Sequence, residues 1–413
     1  MAEGPQVSIR KLLQDRLCDS AWFYDFSTFM QVIQSSIGTF HHFDLARELQ
    51  ARGHLKQIYS GFPWRRLERE GVSRDRVTTF PWLETPIFLG ERHLPLPPSL
   101  YLYLHYKSLV LFDRWISSRV ESCDAFVALS GGGLATGNVV QSRGGKYVCD
   151  RGSSHIRYQN DVLSDEYRRW GVDVKPCDDR SIARDEAEYA MADAITVPSE
   201  FARRSFLEMG VPADKVTRIP YGVRLDRFNP TASPSKEVFE VLFAGTVGLR
   251  KGFPYLIQAF QMLKHPRKRL RLAGPVETAA KPVLDRMDLR DVEVLGAMPQ
   301  HKLAECMSSS HVMVLPSIEE GLALVQAQAM ACACPLISST NTGGEDLFQD
   351  GVEGFLVPIR SAGAICDRLE QLACDPQLQV RMSIAARLRV QKLGGWSDYG
   401  ETYSTFLKKL VDE

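Results

Sequence analysis

Five short apolar segments recur along the second half of the chain, and this recurrence constrains the fold more than any other feature. The segments are VLFAG (241–245), LRLAG (270–274), VEVLG (292–296), HVMVLP (311–316) and PLISS (335–339). Helical patterns lie between them, and one pattern repeats apolar residues at a helical period: Phe253, Leu256, Ile257, Phe260 and Leu263. Strands that alternate with helices predict a parallel, doubly wound α/β sheet, with its ligand site at the carboxyl ends of the strands.

The chain is long enough for two domains, since 413 residues exceed one comfortable core. In the first half, residues 186–230 predict a strand at Ala194–Val197, a helix capped by Ser199 and a strand at Val216–Ile219. The stretch NPTASPSKE (229–237) is rich in Pro and Ser, which is typical of a linker. We therefore expect a first domain over residues 1–228, a linker over 229–238, a second domain over 239–394 and a final helix over 395–413.

Composition limits the functional classes. An apolar content of 44% and a charged content of 24% are ordinary for a globular protein, and a formal net charge of zero gives no indication of nucleic-acid binding. The nine cysteines show no disulfide or metal-site spacing, which indicates reduced thiols in a cytoplasmic protein. The N-terminus has no apolar signal core, and no apolar run approaches the roughly 20 residues of a membrane span.

A long aromatic helix is predicted over residues 99–120, SLYLYLHYKSLVLFDRWISSRV. Its polar side chains His105, Lys107, Asp113 and Arg114 exclude a membrane span. Two interpretations stay open. The helix packs in the core with its polar ends in solvent, or it forms a surface that holds an apolar or lipid-linked acceptor at a membrane face. The second interpretation would add a peripheral contact with the inner membrane face.

Three loops of the first half follow predicted strands or turns. DAFVALSGGGLATG (124–137) predicts a strand and a glycine loop that only loosely matches a dinucleotide fingerprint. KYVCDRGSSHI (146–156) predicts a strand whose polar end carries Asp150 and His155. Gly38 marks a turn ahead of a helix that ends at Gly53.

The stretch His311–Glu345 predicts a strand, a loop, a helix and a second strand in direct succession. The loop carries Glu319, Glu320 and Gly321, and the helical run extends from Leu322 to Met330. The N–H groups at a helix N-terminus bind anions, and a neighbouring carboxylate accepts hydrogen bonds from hydroxyls. This combination suits a ligand with both phosphates and hydroxyls, such as a nucleotide sugar.

Two basic residues, Arg250 and Lys251, follow a glycine turn in AGTVGLRKG (244–252) and precede a helix. Two cations at this place fit a diphosphate, and the alternative is a solvated surface pair. The loop LGAMPQHKL (295–303) offers mainly backbone groups.

The order of these three second-domain loops, followed by GGEDLFQDGVEGFLVP, resembles the nucleotide-sugar-binding half of retaining glycosyltransferases of family 4. The resemblance is strong over roughly residues 186–360 and thinner in the first half. It implies the GT-B architecture, in which two Rossmann-like doubly wound domains face a central cleft. It also implies that the C-terminal helix crosses back to the first domain.

The resemblance implies roles for individual residues. Arg250 and Lys251 would hold the donor diphosphate and stabilise it as a leaving group without a metal or cofactor. Glu320 would contact hydroxyls of the donor sugar, and His155 would reach that sugar from the first domain, although a structural role at the strand end is the alternative for His155. The other donor-binding positions would be Gly245, Gly248, Gly296, Ala297, Met298, Gly321, Leu322, Ala323, Leu324 and Gln328. The loop Gly38, Thr39, Phe40 and His41 would meet the acceptor or the diphosphate.

Two positions depart from the family pattern. Gln328 stands where the family has a second glutamate that binds ribose hydroxyls, so the charge-assisted part of that contact would be missing. Thr246 stands where many members have an arginine, and Arg250 would take over its duty.

The resemblance implies a retaining transfer of a sugar from a UDP- or GDP-sugar to a saccharide, lipid-linked or small-molecule acceptor. The departing phosphate would take the proton of the acceptor in such a mechanism. Because Gln328 departs from the pattern, a non-catalytic nucleotide-sugar-binding or regulatory protein of the same fold is the alternative. A phosphorylase or epimerase would keep the fold, but no cofactor-binding lysine is indicated.

Overall fold

The computed structural model describes residues 30–94, 96–224 and 226–413. Residues 1–29, which belong to the predicted first domain, lie outside the described part. Within the described residues the chain forms two sheets, and every strand pairing in them is parallel.

Seven strands build the first sheet: β1 (Val32–Ser36), β2 (Leu55–Ser60), β3 (Val77–Thr79), β4 (Ala125–Leu129), β5 (Lys146–Asp150), β6 (Ala194–Val197) and β7 (Val216–Arg218). Their order across the sheet is β3-β2-β1-β4-β5-β6-β7. The helices of this half are α1 (His42–Ala51), α2 (Trp64–Leu67), α3 (Glu84–His93), α4 (Pro98–Ser117), α5 (Leu134–Ser142), α6 (Ile156–Arg169), α7 (Asp179–Met191) and α8 (Glu200–Glu208). As predicted, Ser199 caps α8, where its hydroxyl accepts the N–H of Ala202 at 3.1 Å.

Six strands build the second sheet: β8 (Phe239–Ala244), β9 (Lys268–Ala273), β10 (Val292–Gly296), β11 (Val312–Leu315), β12 (Leu336–Ser339) and β13 (Gly354–Val357). Their order is β10-β9-β8-β11-β12-β13. The helices are α9 (Phe253–Met262), α10 (Lys281–Leu284), α11 (Gln300–Ser308), α12 (Leu324–Ala331), α13 (Gly344–Leu347), α14 (Ala362–Cys374), α15 (Pro376–Val390) and α16 (Trp396–Asp412). The doubly wound α/β prediction is confirmed for both halves.

Strands β8, β11 and β12 of the second sheet are buried on both faces, which explains the apolar runs in them, whereas β9 and β10 lie toward one edge and carry exposed residues. Successive residues of a strand point to opposite faces. Val241 and Phe243 of β8 accordingly pack in one core cluster, and Leu242 and Ala244 pack in another. Because helices cover both faces, the carboxyl ends of the strands are left for the loops that carry the predicted site.

Helix α16 returns to the first half of the chain, as expected. Its Tyr399, Tyr403 and Leu407 are buried in the cluster that contains Val32 of β1 and Leu45 of α1. The Tyr403 hydroxyl also lies 3.0 Å from the hydroxyl of Thr196 on β6. This packing joins the end of the chain to the first sheet.

Helix α4 matches the long helix that was predicted over residues 99–120, and it has two different faces. Phe112 and Ile116 are buried, whereas Leu100 and Leu111 are exposed beside Lys107 and Arg114. Among the described residues, no helix has the length and apolar character needed to cross a bilayer. Both interpretations of this helix therefore remain compatible with the fold.

Candidate functional site

The loops after β8 and β11 meet because these two strands are neighbours in the second sheet. The Lys251 ammonium lies 2.5 Å from a carboxylate oxygen of Glu320, and both side chains are largely buried. Gly245 follows β8 and has a φ of 139°, and a Cβ there would lie 3.7 Å from Lys251 Cε. The structure thus brings together Gly245, Lys251 and Glu320, which the sequence predicted as parts of one site.

The backbone from Gly321 to Leu324 leads into α12, as the anion-site prediction requires. Helix α12 begins at Leu324, and the first N–H groups of a helix have no acceptor within the helix. Gly321 is packed against the first domain so closely that a Cβ would overlap the carbonyl oxygen of Gly152. The hydroxyl of Ser199 donates to the Gly321 carbonyl at 2.5 Å. The predicted donor loop therefore lies at the boundary between the two halves.

The guanidinium of Arg250 forms an ion pair with Glu319 in this structure. Its Nη2 lies 2.9 Å from Glu319 Oε2 and 3.3 Å from the hydroxyl of Ser153 in the first domain. Burial disfavours the charge of Arg250, but Glu319 and Glu320 outweigh it and raise its pKa. A buried carboxylate thus binds the charged group of Arg250 in this structure, and the diphosphate contact of Arg250 stays a prediction.

Glu319 is a site residue that the sequence reasoning did not single out. It is fully buried, and its carboxylate accepts hydrogen bonds from the hydroxyls of Ser153 (2.6 Å) and Ser154 (2.7 Å) and from Gln159 Nε2 (2.8 Å). Burial alone would raise the pKa of Glu319, but Arg250 and these donors lower it to about 2. A charged carboxylate thus ties the two halves beside the predicted donor loop.

Gln328 lies on α12 and faces a cleft between the halves. The cleft has a volume of about 200 Å³ and is lined by Asp44, Glu70, Gly222, Val223, Arg224, Leu324, Gln328 and Trp396. Gln328 and Leu324, both predicted to bind the donor, therefore share one opening. Arg224 in this opening was not predicted, because nothing in its neighbourhood of the sequence distinguishes it from a surface arginine.

The remaining predicted donor positions lie at two different places. Gly248 lies beside the carboxylate of Glu277, which a Cβ at this position would displace. Gly296 is the last residue of β10, and Ala297 and Met298 follow it; β10 lies at the edge of the sheet, two positions from β8. Gly296 has a φ of 69° and open space around it. This loop lies at the same carboxyl edge of the sheet as the Lys251–Glu320 pair.

The side chain of His155 caps a helix and packs against aromatic rings within the first domain. Its Nδ1 accepts the N–H of Arg157 at the start of α6, and its ring packs against Tyr189 and Phe206 at 4.9 and 5.0 Å. Burial lowers the pKa of His155 to about 4. The ring packs against aromatic side chains and caps a helix, which fits the structural alternative, and the contact with the donor sugar stays a prediction.

The loop Gly38–His41 borders the end of β5, where Asp150 lies. Phe40 is 61% exposed with a φ of 39°, and its ring covers Gly38. His41 Nε2 lies 2.5 Å from Asp150 Oδ2, and His42 Nε2 lies 3.0 Å from the same oxygen. The loop therefore presents an exposed aromatic ring and a carboxylate-bound histidine.

Within the described part of the chain, His41, His42 and Asp150 are the group whose donor atoms could surround a metal ion. His41 Nε2 is hydrogen-bonded to Asp150 Oδ2, and His42 Nε2 lies close to the same oxygen. A zinc ion needs room for bonds of about 2 Å to every ligand, which atoms in direct hydrogen-bond contact do not leave. The geometry fits a hydrogen-bonded cluster better than a metal centre.

The glycine loop at residues 131–133 does not bind an external phosphate in this fold. Its N–H groups of Gly131 and Gly133, and that of Leu134, donate to the carboxylate of Glu188 at 2.8 to 2.9 Å. Asp113 accepts the next two N–H groups of α5. The helix N-terminus that a dinucleotide would occupy is thus filled by the protein's own carboxylates.

Comparison with known proteins gives two family matches. Residues 41–222 match the glycosyl transferase 4-like domain, and residues 226–389 match glycosyl transferases group 1. One relative is the putative colanic acid biosynthesis glycosyltransferase WcaL of Escherichia coli, which is 29% identical over an alignment of 175 residues that covers 39% of this chain. The chain spans only 43% of the length of that relative.

Solved structures show the same fold over nearly the whole chain. Sucrose-phosphate synthase of Thermosynechococcus elongatus superposes with a TM-score of 0.69 at 20% identity, and the match covers 93% of this chain and 99% of that one. HepE of Anabaena, in complex with UDP-glucose, has a TM-score of 0.64 at 15% identity and covers 92% and 100% of the two chains.

Proposed function

Because the chain belongs to the glycosyl transferases group 1, we propose that it transfers a sugar from a nucleotide diphosphate sugar to an acceptor hydroxyl. The acceptor is a saccharide, a lipid-linked sugar or a small molecule. The UDP-glucose complex of HepE and the WcaL name support a nucleotide-sugar donor and a saccharide acceptor.

The Lys251–Glu320 pair beside the start of α12 carries this proposal. The ammonium and the N–H groups of the helix N-terminus suit the two phosphates of the donor. The carboxylate of Glu320 suits the sugar hydroxyls. The pair lies at the carboxyl ends of β8 and β11, which is where open α/β sheets bind ligands.

We propose a transfer with retention that needs no metal, since Lys251 supplies positive charge for the departing diphosphate. Pre-positioned charge of this kind stabilises a leaving group as it develops negative charge. A chelator is expected to leave the transfer rate unchanged, and the anomeric signal of the product in an NMR spectrum is expected to match that of the donor. An inverted product, or loss of activity that magnesium restores, would contradict these two points.

A thermal-shift screen with UDP-, GDP-, ADP- and TDP-sugars tests the donor. A true donor at about 100 times its Kd stabilises the folded state by about 2.7 kcal/mol. Lys251→Ala is expected to lower transfer by about 100-fold or more, by analogy with the removal of one charge-stabilising donor. Lys409→Ala, which removes an exposed lysine paired with Glu413, is the matched control.

A non-catalytic nucleotide-sugar-binding protein is the second candidate, and Gln328 favours it. A neutral amide in the cleft would weaken the ribose contact that a carboxylate makes. In that case a nucleotide sugar would raise the melting temperature while neither transfer nor donor hydrolysis is detected.

A further inference from the structure

Exposed apolar side chains are concentrated in the segment that forms α3 and α4. The two helices pack against each other, and the Tyr101 hydroxyl of α4 donates to the carbonyl of Leu94 in their connection at 2.7 Å. Large apolar side chains of this segment are 38% to 75% exposed: Trp82, Leu89, Leu94, Leu96, Leu100 and Leu111. We call these residues the α3–α4 surface. An exposed apolar patch of this kind marks a place that another molecule covers.

The exposed face of α4 combines apolar and basic residues without an acid. Leu100, Lys107, Leu111 and Arg114 are exposed, and their spacing of seven, four and three residues places them along one face of the helix. Asp113 is the one acid in the sequence of α4, and it is buried, where it accepts two N–H groups of α5. The outer face of α4 is therefore apolar and positively charged.

This chemistry favours an anionic lipid bilayer as the molecule that covers the surface. On such a helix, apolar side chains enter the boundary of the acyl chains, and cations attract anionic headgroups. Amphipathic aromatic rings favour the headgroup region, and α4 carries the partly exposed rings of Tyr101, Tyr103 and Tyr106. A two-fold contact with a second copy would instead set this basic face against itself.

The α3–α4 surface begins at the edge of the first sheet that faces the second half of the chain. The Thr85 hydroxyl, in the first turn of α3, donates at 3.3 Å to the carbonyl of Gly61, which follows β2. A Cβ at Gly61 would overlap the carbonyl of Ile37, which follows β1. At the same edge, Gly152 follows β5 and packs against Gly321 of the donor loop. The surface thus adjoins the side of the first domain on which the donor loop lies.

We propose that the α3–α4 surface binds an anionic lipid bilayer peripherally, with Trp82 and the leucines at the acyl boundary and with Lys107 and Arg114 at the headgroup phosphates. This binding needs neither a donor nor an acceptor, so it goes beyond the proposed transferase function and is tested without it. A bilayer held at this place would offer the enzyme acceptors that are anchored in lipid, which is one of the acceptor classes proposed above.

The first test is co-sedimentation of the full chain with vesicles of phosphatidylcholine mixed with phosphatidylserine. We expect the wild type to bind these vesicles, and to bind less at high salt or to phosphatidylcholine alone, because both changes weaken the attraction of cations to the headgroups. The double variant Leu100→Glu and Leu111→Glu should bind about 10-fold or more weakly, since it removes apolar contact and adds negative charge. Ile384→Glu is the matched control, because Ile384 is 57% exposed on α15 in the second half.

A second pair of variants tests the contribution of charge. Lys107→Gln combined with Arg114→Gln should weaken vesicle binding about 5-fold for each cation removed. The matched control is Arg381→Gln combined with Arg387→Gln, which makes the same change of net charge at two exposed positions of α15. All of these side chains are exposed, so the melting temperatures of the variants should stay close to that of the wild type.

A wild type that does not bind the anionic vesicles would overturn the proposal, and so would α3–α4 variants that bind as tightly as the wild type. An equal loss in the α15 controls would overturn it too, because it would show adsorption without a defined surface. A dimer in sedimentation velocity that the leucine variant dissociates would assign the surface to a second copy instead. Failure of sugar transfer would leave vesicle binding intact, so failure of the proposed function is distinguishable.

Discussion

Glu319→Gln tests whether one buried carboxylate ties the two halves of the molecule together. Glu319 is fully buried and accepts hydrogen bonds from Ser153, Ser154 and Gln159 on one side and from Arg250 on the other. These contacts lower its pKa from 4.5 to about 2, against the opposing effect of burial. Such a fall corresponds to about 3 kcal/mol of stability at neutral pH. Breaking a buried ion pair costs about 3–5 kcal/mol, which agrees.

The sign of the pH dependence follows from the direction of this change. Because the pKa of folded Glu319 lies below the unfolded value of 4.5, the stabilisation is fully present above about pH 4.5. It is lost as the pH falls toward 2. Glutamine carries no charge, so the variant lacks this contribution at every pH.

Urea unfolding followed by circular dichroism measures the effect. At pH 7 we expect Glu319→Gln to be about 3 kcal/mol less stable than the wild type, and we expect the difference to narrow below about pH 4.5. The control is Glu345→Gln, which removes a partly exposed ion pair with Arg204 across the same boundary. Exposed pairs contribute about 0–1 kcal/mol. A Glu319→Gln variant within 1 kcal/mol of the wild type at pH 7 would refute the reasoning, because this is the range expected for an exposed pair.

Three other outcomes are expected. Gly321→Ala should lower the rate of sugar transfer sharply, because its Cβ would overlap the Gly152 carbonyl. The control Gly363→Ala should keep the wild-type rate, because the space around Gly363 is open. Equal transfer rates for the two variants would contradict the close approach of Gly321 to Gly152. His155→Gln should reduce stability but leave kcat unchanged. Because burial lowers the folded pKa of His155 to about 4, wild-type stability falls as the pH drops from 6.5 toward 4, and urea unfolding should show a weaker fall in the variant. Leu111→Glu on the exposed face of α4 should reduce co-sedimentation with anionic phosphatidylserine vesicles; equal binding would remove the membrane interpretation of this helix.

The strand and helix pattern was predictable because its signals are local. The five predicted strands of the second half correspond to β8 to β12, and Ser199 was recognised as a helix cap from its place before Glu200. Strand β13 (Gly354–Val357) was not predicted, since it has four residues and begins with glycine. Strand β1 (Val32–Ser36) was missed as well because Gln34 and two serines interrupt its apolar run, although all five residues are buried.

The site was less predictable because its assignments depend on distant contacts. Glu319 and Glu320 are adjacent and chemically alike, and contacts with Ser153 and Ser154, more than 160 residues away, bury one of them. Arg250, which was expected to bind a diphosphate, contacts Glu319 and Ser153 in the same cluster. The structural place of His155 likewise depends on its packing against distant aromatic side chains.

The ion pairs of the site also affect which cation could bind the diphosphate of a donor. Arg250 and Lys251 are both paired, so an entering diphosphate must replace a carboxylate partner. Releasing Arg250 would leave Glu319 charged and fully buried, which is costly. Glu320 is largely buried but keeps 12% of its side chain exposed, and once released it would accept hydrogen bonds from the hydroxyls of the donor sugar. Exchange of partners at the Lys251–Glu320 pair would therefore let both ends of a nucleotide sugar bind without leaving Glu319 charged and unpaired, and for this reason we propose Lys251 as the cation that binds the diphosphate.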